Sequence, residues 1–294
     1  MPERVCLDCP RKCAVERGMG FCGMGDEILI ARAAPHFGEE PCISGTRGSG
    51  TVFFSGCNLR CVFCQNHDIS IGRFGAEVSS ARLRDIFHEL QDAGVHNINL
   101  VTGSHYVQQI ASALELAELS VPVVWNSSGY DSVDALRRLE GLVQIYMPDL
   151  KYLSSPLAEK YAKAPDYPET ARAAIREMYR QVGRFALDED GLLRHGVLIR
   201  HLVLPGEIDN TLAVIDYVAE NYPGERVLFS LMSQFTPTAN CPPELMRTLT
   251  QEEYDRCLDY LSLSDIECGF VQEICSGGTE MIPDFDLSGV EPRK

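Results

Sequence analysis

Three cysteines, Cys57, Cys61 and Cys64, stand within residues 56–66 with three and then two residues between them. Three thiolates can hold three irons of a [4Fe-4S] cube and leave the fourth iron open, a place for chemistry and not only for electron transfer. The loop follows a short apolar run, Thr51, Val52, Phe53 and Phe54, so its ligands should leave a strand end on a tight turn. Arg60 inside that loop would sit beside an anionic cluster and could tune its potential. A second group, Cys6, Cys9, Cys13 and Cys22, precedes it. Pro10, Gly18, Gly20 and Gly23 let the chain fold back there, and four thiolates suit a structural zinc or a second iron–sulfur cluster. Cys42 lies in a linker marked by Gly and Pro and reads as a bystander. Cys257 shares helical spacing with Tyr254, Leu258 and Leu261 and reads as core. Cys241, Cys268 and Cys275 are too scattered for a further cluster.

The elements that must position these groups alternate. Apolar runs at residues 50–55, 98–101, 121–125, 143–147, 197–204 and 227–232 read as six strands. Between them run helical patterns: one capped at Ser80 and ending at Gly94, one through Ile110 and Leu114, and one capped at Asp131. Others span residues 169–182 and 210–220, and the last opens on a Thr250–Glu253 capping box. A final short strand begins at Phe270, and the chain from Asp284 reads as a surface strap. Six strand–helix units predict an α/β fold with parallel strands. There is no Rossmann glycine fingerprint and no Walker motif.

The chain has 294 residues, 26 Lys plus Arg against 42 Asp plus Glu, and a formal net charge of −16. That acidity argues against a nucleic-acid partner held over a wide surface. No apolar stretch reaches the length of a membrane span and no signal-peptide core opens the chain, which predicts a cytoplasmic protein. Twelve cysteines in such a chain point to metal rather than disulfides.

Polar residues recur just after the apolar runs, and the strand ends of a β/α barrel share one rim. The rim candidates are Thr102, Gly103, Ser104 and His105; Asn126 and Ser128; Asp149 and Lys151; Arg200 and His201; and Gln234. Opposite charges on Asp149 and Lys151 could clamp a zwitterion. Arg200 and His201 must point to opposite sides of their strand.

The C-x3-C-x2-C spacing, with Phe63 directly before the third cysteine, resembles the signature of radical S-adenosylmethionine enzymes. The wider chain resembles the subgroup related to pyruvate formate-lyase activating enzymes. The resemblance implies an incomplete (β/α)6 barrel over residues 46–283, after a cysteine-rich extension and linker (1–45) and before a tail (284–294). It implies a [4Fe-4S] cluster on Cys57, Cys61 and Cys64 whose open iron chelates S-adenosyl-L-methionine, and a reduced cluster that splits the sulfonium to a 5'-deoxyadenosyl radical. Phe63 would pack near the adenine, and Asn66 resembles the Asn that follows the third cysteine. Thr102-Gly103-Ser104 takes the place of a Gly-Gly-Glu segment that grips the methionine amine, departing from it by Thr for Gly and by the missing Glu. Asn126 and Ser128 resemble an Asn-Thr-Asn-Gly element, and Asp149 with Lys151 an Asp-Leu-Lys. His201 would face the ribose or carboxylate, although the sequence leaves open which of Arg200 and His201 turns inward. Implied partners are a low-potential electron donor such as flavodoxin or ferredoxin and a protein or peptide substrate. A small-metabolite substrate and a non-enzymatic iron–sulfur or zinc protein stand as alternatives.

Overall fold

The computed structural model describes residues 5–274 and 283–292. Cys275 lies outside the described residues. The strands are β1 Ile28–His36, β2 Ser49–Phe54, β3 Ala76–Val78, β4 Ile98–Val101, β5 Val123–Ser127, β6 Ile145–Pro148, β7 Ala186–Leu187, β8 Leu193–Leu202, β9 Leu228–Met232 and β10 Gly269–Val271. The helices are α1 Pro41–Ser44, α2 His67–Ser70, α3 Ser80–Asp92, α4 Val107–Glu115, α5 Val133–Arg137, α6 Ser155–Ala162, α7 Tyr167–Val182, α8 Ile208–Asn221 and α9 Gln251–Ser262.

The sheet runs β10-β9-β8-β6-β5-β4-β2-β1-β3, with β7 paired to β8. From β2 to β10 along that path every neighbour is parallel. The six apolar runs thus become six parallel strands of an open α/β sheet, a partial barrel with helices outside. Their near-continuous burial follows from being covered on both faces. Two helix caps differ from the sequence reading by one residue. Ser79, still extended, accepts the Arg82 N–H in place of Ser80, and Ser132 accepts the Ala135 N–H in place of Asp131. The Thr250–Glu253 capping box is present.

Neither β1 nor β3 was expected. β1 pairs antiparallel with both β2 and β3. Arg32, Pro35 and three alanines interrupt its sequence, and weak β formers hide a strand that tertiary pairing supports. After β1 the chain crosses the barrel floor. Cys42 and Ile43 of α1 pack on Val124, Ile145, Leu198 and Leu228. Cys42 is therefore core rather than a linker bystander. The tail strap forms as expected: Ala33 and Leu287 N–H groups bond to the Ser288 and Ala31 carbonyls, and Arg82 of α3 holds three tail carbonyls. No helix among the described residues is long and apolar enough to cross a membrane.

Candidate active site

The cysteine loop leaves β2 through Gly56, whose φ of 84° favours glycine. A Cβ there would fall 2.2 Å from Met24. Cys57, Cys61 and Cys64 line one cavity of about 270 Å³ together with Asn126, Asp149 and Lys151. Donors are already aimed at two sulfurs: the Leu59 N–H at Cys57 Sγ and the Ser70 hydroxyl at Cys64 Sγ, each at 3.3 Å. Three soft sulfurs served by such donors fit an iron–sulfur cluster. They are gathered without being drawn tight, since among the described residues no three His, Cys, Asp or Glu side chains sit close enough to hold one ion. Burial pushes the free Cys61 thiol up to about 12 against the pull of Lys151, and burial raises Cys64 as well. Metal would have to displace those protons.

Below the cysteines lies an ionic floor. All three guanidinium nitrogens of Arg200 donate there: Nε to Asp149 Oδ1 at 3.0 Å, Nη1 to Glu39 Oε2 at 3.0 Å and Nη2 to Asn126 Oδ1 at 2.7 Å. Glu39 Oε1 accepts from Asn99 at 3.0 Å and Asn126 at 3.1 Å. Lys151 Nζ donates to Asp149 Oδ2 at 2.6 Å. Burial pushes the Asp149 carboxyl up, but Lys151 and Arg200 outweigh it and hold it below the usual range. The same Asp149 charge raises Lys151 against its own burial. Both groups stay charged. Glu40 is pushed up by burial despite Arg200 nearby.

The rest of the expected rim divides. Thr102, Ser128, Gln234, Phe63 and Asn66 line the cavity. Phe63 meets Tyr161 and Phe235 edge-on at 6.4 and 5.8 Å. Thr102 holds φ at 62°, a left-handed conformation costly for a β-branched residue and typical of strained functional sites. Gly103, Ser104, His105 and His201 do not line the cavity. A Cβ on Gly103 would meet Ile110 at 2.6 Å and Trp125 at 3.0 Å, so this glycine serves packing. Ser104 and Ser127 both donate to Asp131 at 2.5 Å. His105 Nε2 donates to the Ser55 carbonyl at 2.8 Å, and burial lowers its pKa to about 4. His201 is a correction as well: its Nδ1 donates to the Leu150 carbonyl at 2.6 Å and its Nε2 accepts from Thr211 of α8 at 2.9 Å. Strand alternation turns Arg200 inward and His201 toward the helices.

A family model described as the radical SAM superfamily matches residues 51–218, more than half of the chain. The chain belongs to the radical SAM superfamily. It is 29% identical over 268 residues to an uncharacterized protein of Methanocaldococcus jannaschii, covering 86% of this chain and 73% of that one. The fold is similar to Streptococcus suis SuiB bound to the precursor peptide SuiA, with a TM-score of 0.50 and 13% identity. That match covers 75% of this chain but only 47% of SuiB, less than half of that protein's length. A domain of pyruvate-formate lyase-activating enzyme from Bacteroides vulgatus is more distant in shape, with a TM-score of 0.37 and 12% identity over 66% of this chain and 91% of that one.

Beside the radical SAM barrel, the four early cysteines share one small fold-back, in which no three of them sit close enough to hold one ion. Cys9 feels Cys22, Cys6 and Cys13 electrostatically, and Cys22 feels Cys6 and Cys13. The Phe21 N–H points at Cys13 Sγ at 3.3 Å. Two arginines fasten this unit to the barrel. Arg11 lies 3.9 Å over the Phe21 ring and donates to the carbonyls of Asn58, in the cluster loop, and of Ala162 and Lys163. Arg17 pairs with Asp8 at 2.6 Å and donates to the His105 carbonyl at 2.9 Å.

The sequence reading missed Glu39, Glu40 and Asp131. Nothing local distinguishes two acids before Pro41 from a solvated turn, and only the unforeseen β1 carries them under the barrel. Asp131 was read as a helix cap, and its neighbour Ser132 took that role.

Proposed function

We propose that this chain generates a 5'-deoxyadenosyl radical and uses it to abstract hydrogen from a protein or peptide, in the manner of a glycyl-radical activating enzyme. The observation that carries the reading is the single cavity where three loop thiols meet a cation, a carboxylate, amides and hydroxyls at the strand ends. When bound, a [4Fe-4S] cluster and S-adenosyl-L-methionine supply one-electron cleavage of a sulfonium bond. The chain's own work is to bind, orient and exclude quenching species.

Cys57, Cys61 and Cys64 would hold three irons. Lys151, kept charged by Asp149, would face the methionine carboxylate. Thr102 would offer its hydroxyl to the amine in place of a glutamate. Asn126 and Ser128 suit ribose hydroxyls or the carboxylate, Phe63 the adenine, and Asn66 and Gln234 the cavity edge where cofactor meets substrate. Arg200 acts as a positioning residue, since each of its three guanidinium nitrogens already holds Asn126, Asp149 or Glu39. Cys6, Cys9, Cys13 and Cys22 would hold a zinc or a second cluster that braces the cluster loop through Arg11. Electrons would come from a low-potential carrier such as flavodoxin or ferredoxin.

An open sheet supports a peptide-sized substrate, as does the shared fold of SuiB, whose structure holds a precursor peptide. The net charge of −16 disfavours nucleic acid. The test is 5'-deoxyadenosine release by anaerobically reconstituted, dithionite-reduced protein given separate protein and small-molecule fractions of a lysate. Stimulation by the protein fraction alone supports the reading. Stimulation by small molecules alone replaces it with metabolite chemistry. No release from an intact cluster leaves a non-enzymatic iron–sulfur protein.

A further inference from the structure

Tyr152 follows Lys151 and is fully buried. Its ring sits edge-on to Tyr167 at 5.4 Å and tilted against Tyr161 at 6.4 Å, so it has little freedom to turn. The other tyrosine hydroxyls of this aromatic layer are satisfied. Tyr130 bonds Asp166, Tyr161 bonds Glu207, and Tyr167 bonds main-chain groups at Ser128, Asp149 and Lys151. Tyr152 Oη alone in this layer makes no hydrogen bond. Tyr161, against which its ring packs, accepts the Val62 N–H one residue past Cys61, which sets the phenol beside the cysteine loop, and the Cys61 sulfur acts on it electrostatically. A buried donor without an acceptor is destabilising, so an orphan of this kind asks for a partner. A thiol is a poor acceptor; an iron-bound thiolate is a good one.

The other two sulfurs of the loop already have one donor each, the Leu59 N–H for Cys57 and the Ser70 hydroxyl for Cys64. Among the described residues, none donates a hydrogen bond to the Cys61 sulfur. We propose that the Tyr152 hydroxyl donates to the Cys61 sulfur when that sulfur is a cluster ligand, completing one donor per sulfur and raising the cluster's reduction potential. This rests on the reading of Cys57, Cys61 and Cys64 as the cluster ligands. The physical reason is electrostatic. A donor on a ligating sulfur withdraws charge from it and favours the form carrying one more electron. Phenols are protonated at neutral pH, so the group is a donor there and no proton changes hands. Tyr152 is thus a positioning and tuning residue that acts through Cys61.

The test is a redox titration of the full reconstituted chain, following the reduced-cluster electron paramagnetic resonance signal that Cys57→Ala abolishes. Tyr152→Phe removes one oxygen and keeps the ring. With iron content unchanged, its midpoint should move to a more negative potential. 3-Fluorotyrosine at position 152, a stronger donor, should move it the other way. Tyr222→Phe deletes another buried hydroxyl that lacks a partner, away from the loop, and should move nothing. An unmoved midpoint in the Phe variant at full iron content overturns the role of Tyr152 while leaving the site reading intact. Should the Phe variant fail to load iron, the fluorotyrosine protein decides: a positive shift supports the role and no shift overturns it. A wild-type chain that gives no signal dependent on Cys57 overturns both.

Discussion

The inward and outward faces of the same strand ends carry similar polar residues and use them differently. Outward, Ser104 is consumed by Asp131, and His201 is held between Leu150 and Thr211. These groups lock helices to the sheet. Inward, Asn126, Asp149, Lys151 and Thr102 stand at a cavity that the cysteine loop overhangs. Arg200 and His201 are adjacent in sequence, yet one organises the cavity floor and the other braces a helix. The difference teaches that residue type named the candidates and the two-residue alternation of a strand assigned their work.

The largest effect that would sharpen this contrast comes from Arg200. Its side chain is 14% exposed, and Glu39 and Asp149 are 9% and 16% exposed. Arg200→Met leaves two carboxylates facing each other without their shared cation. Removing one partner of a buried ion pair costs ~3–5 kcal/mol, and contact with the cavity places this case near the lower end, about 3 kcal/mol. Chemical denaturation should show that loss. A cost under about 1 kcal/mol would mean the floor is solvated and Arg200 free to bind ligand directly.

His201 tests the outward face through pH. Burial lowers its pKa to about 4, below the ordinary value near 6.5. The unfolded chain therefore binds more protons between those values, and stability falls as pH falls. The contribution is fully present above pH ~6.5 and is lost progressively down to pH ~4, amounting to about 2 kcal/mol between pH 7 and 5. His201→Gln should flatten the pH dependence of unfolding by that amount relative to wild type. Curves that stay parallel would show that the ring is not held neutral by the fold.

Lys151 returns to the inward face with a smaller effect. Lys151→Met should weaken S-adenosylmethionine binding about tenfold, the low end for a charge-assisted hydrogen bond, because cavity water replaces part of it. Isothermal titration of the reconstituted protein reads this directly. Unchanged affinity would mean that Lys151 serves Asp149 alone, in the way the outward residues serve one another.

Much of the barrel was legible because its strands are buried on both faces and read as uninterrupted apolar runs. β1 was not, since Arg32, Pro35 and its alanines give no periodic signal and its stability comes from two antiparallel neighbours. The cysteine spacing was legible because ligand geometry is local. Glu39 was hidden for the opposite reason: its partners Asn99, Asn126 and Arg200 lie 60, 87 and 161 residues away. The inward or outward fate of Arg200 and His201 was also hidden, because strand phase is set by pairing and both residues are plausible on either side. Ser104 was misplaced by analogy of position. It follows the strand end by three residues, where the short helical turn of residues 104–106 has already rotated it away from the cavity.

That rotation gives the finest test of the contrast. Ser104 and Ser128 are both serines just past a strand end, one donating to Asp131 and the other lining the cavity. Ser104→Ala leaves the buried Asp131 carboxyl with one hydroxyl donor fewer. Burial already pushes that carboxyl up while Ser104 and Ser127 pull it down, so the deletion raises it further and costs stability by ~1 kcal/mol. S-adenosylmethionine affinity should not change. Ser128→Ala should do the reverse, weakening binding severalfold with stability within ~0.5 kcal/mol of wild type, since its hydroxyl has only a long 3.4 Å contact from the Tyr130 N–H to lose. Denaturation and titration on the two variants form a crossed pair. If Ser104→Ala weakens binding as much as Ser128→Ala does, the two faces are coupled through Asp131, and the division between scaffold and site would have to be redrawn one residue layer further out.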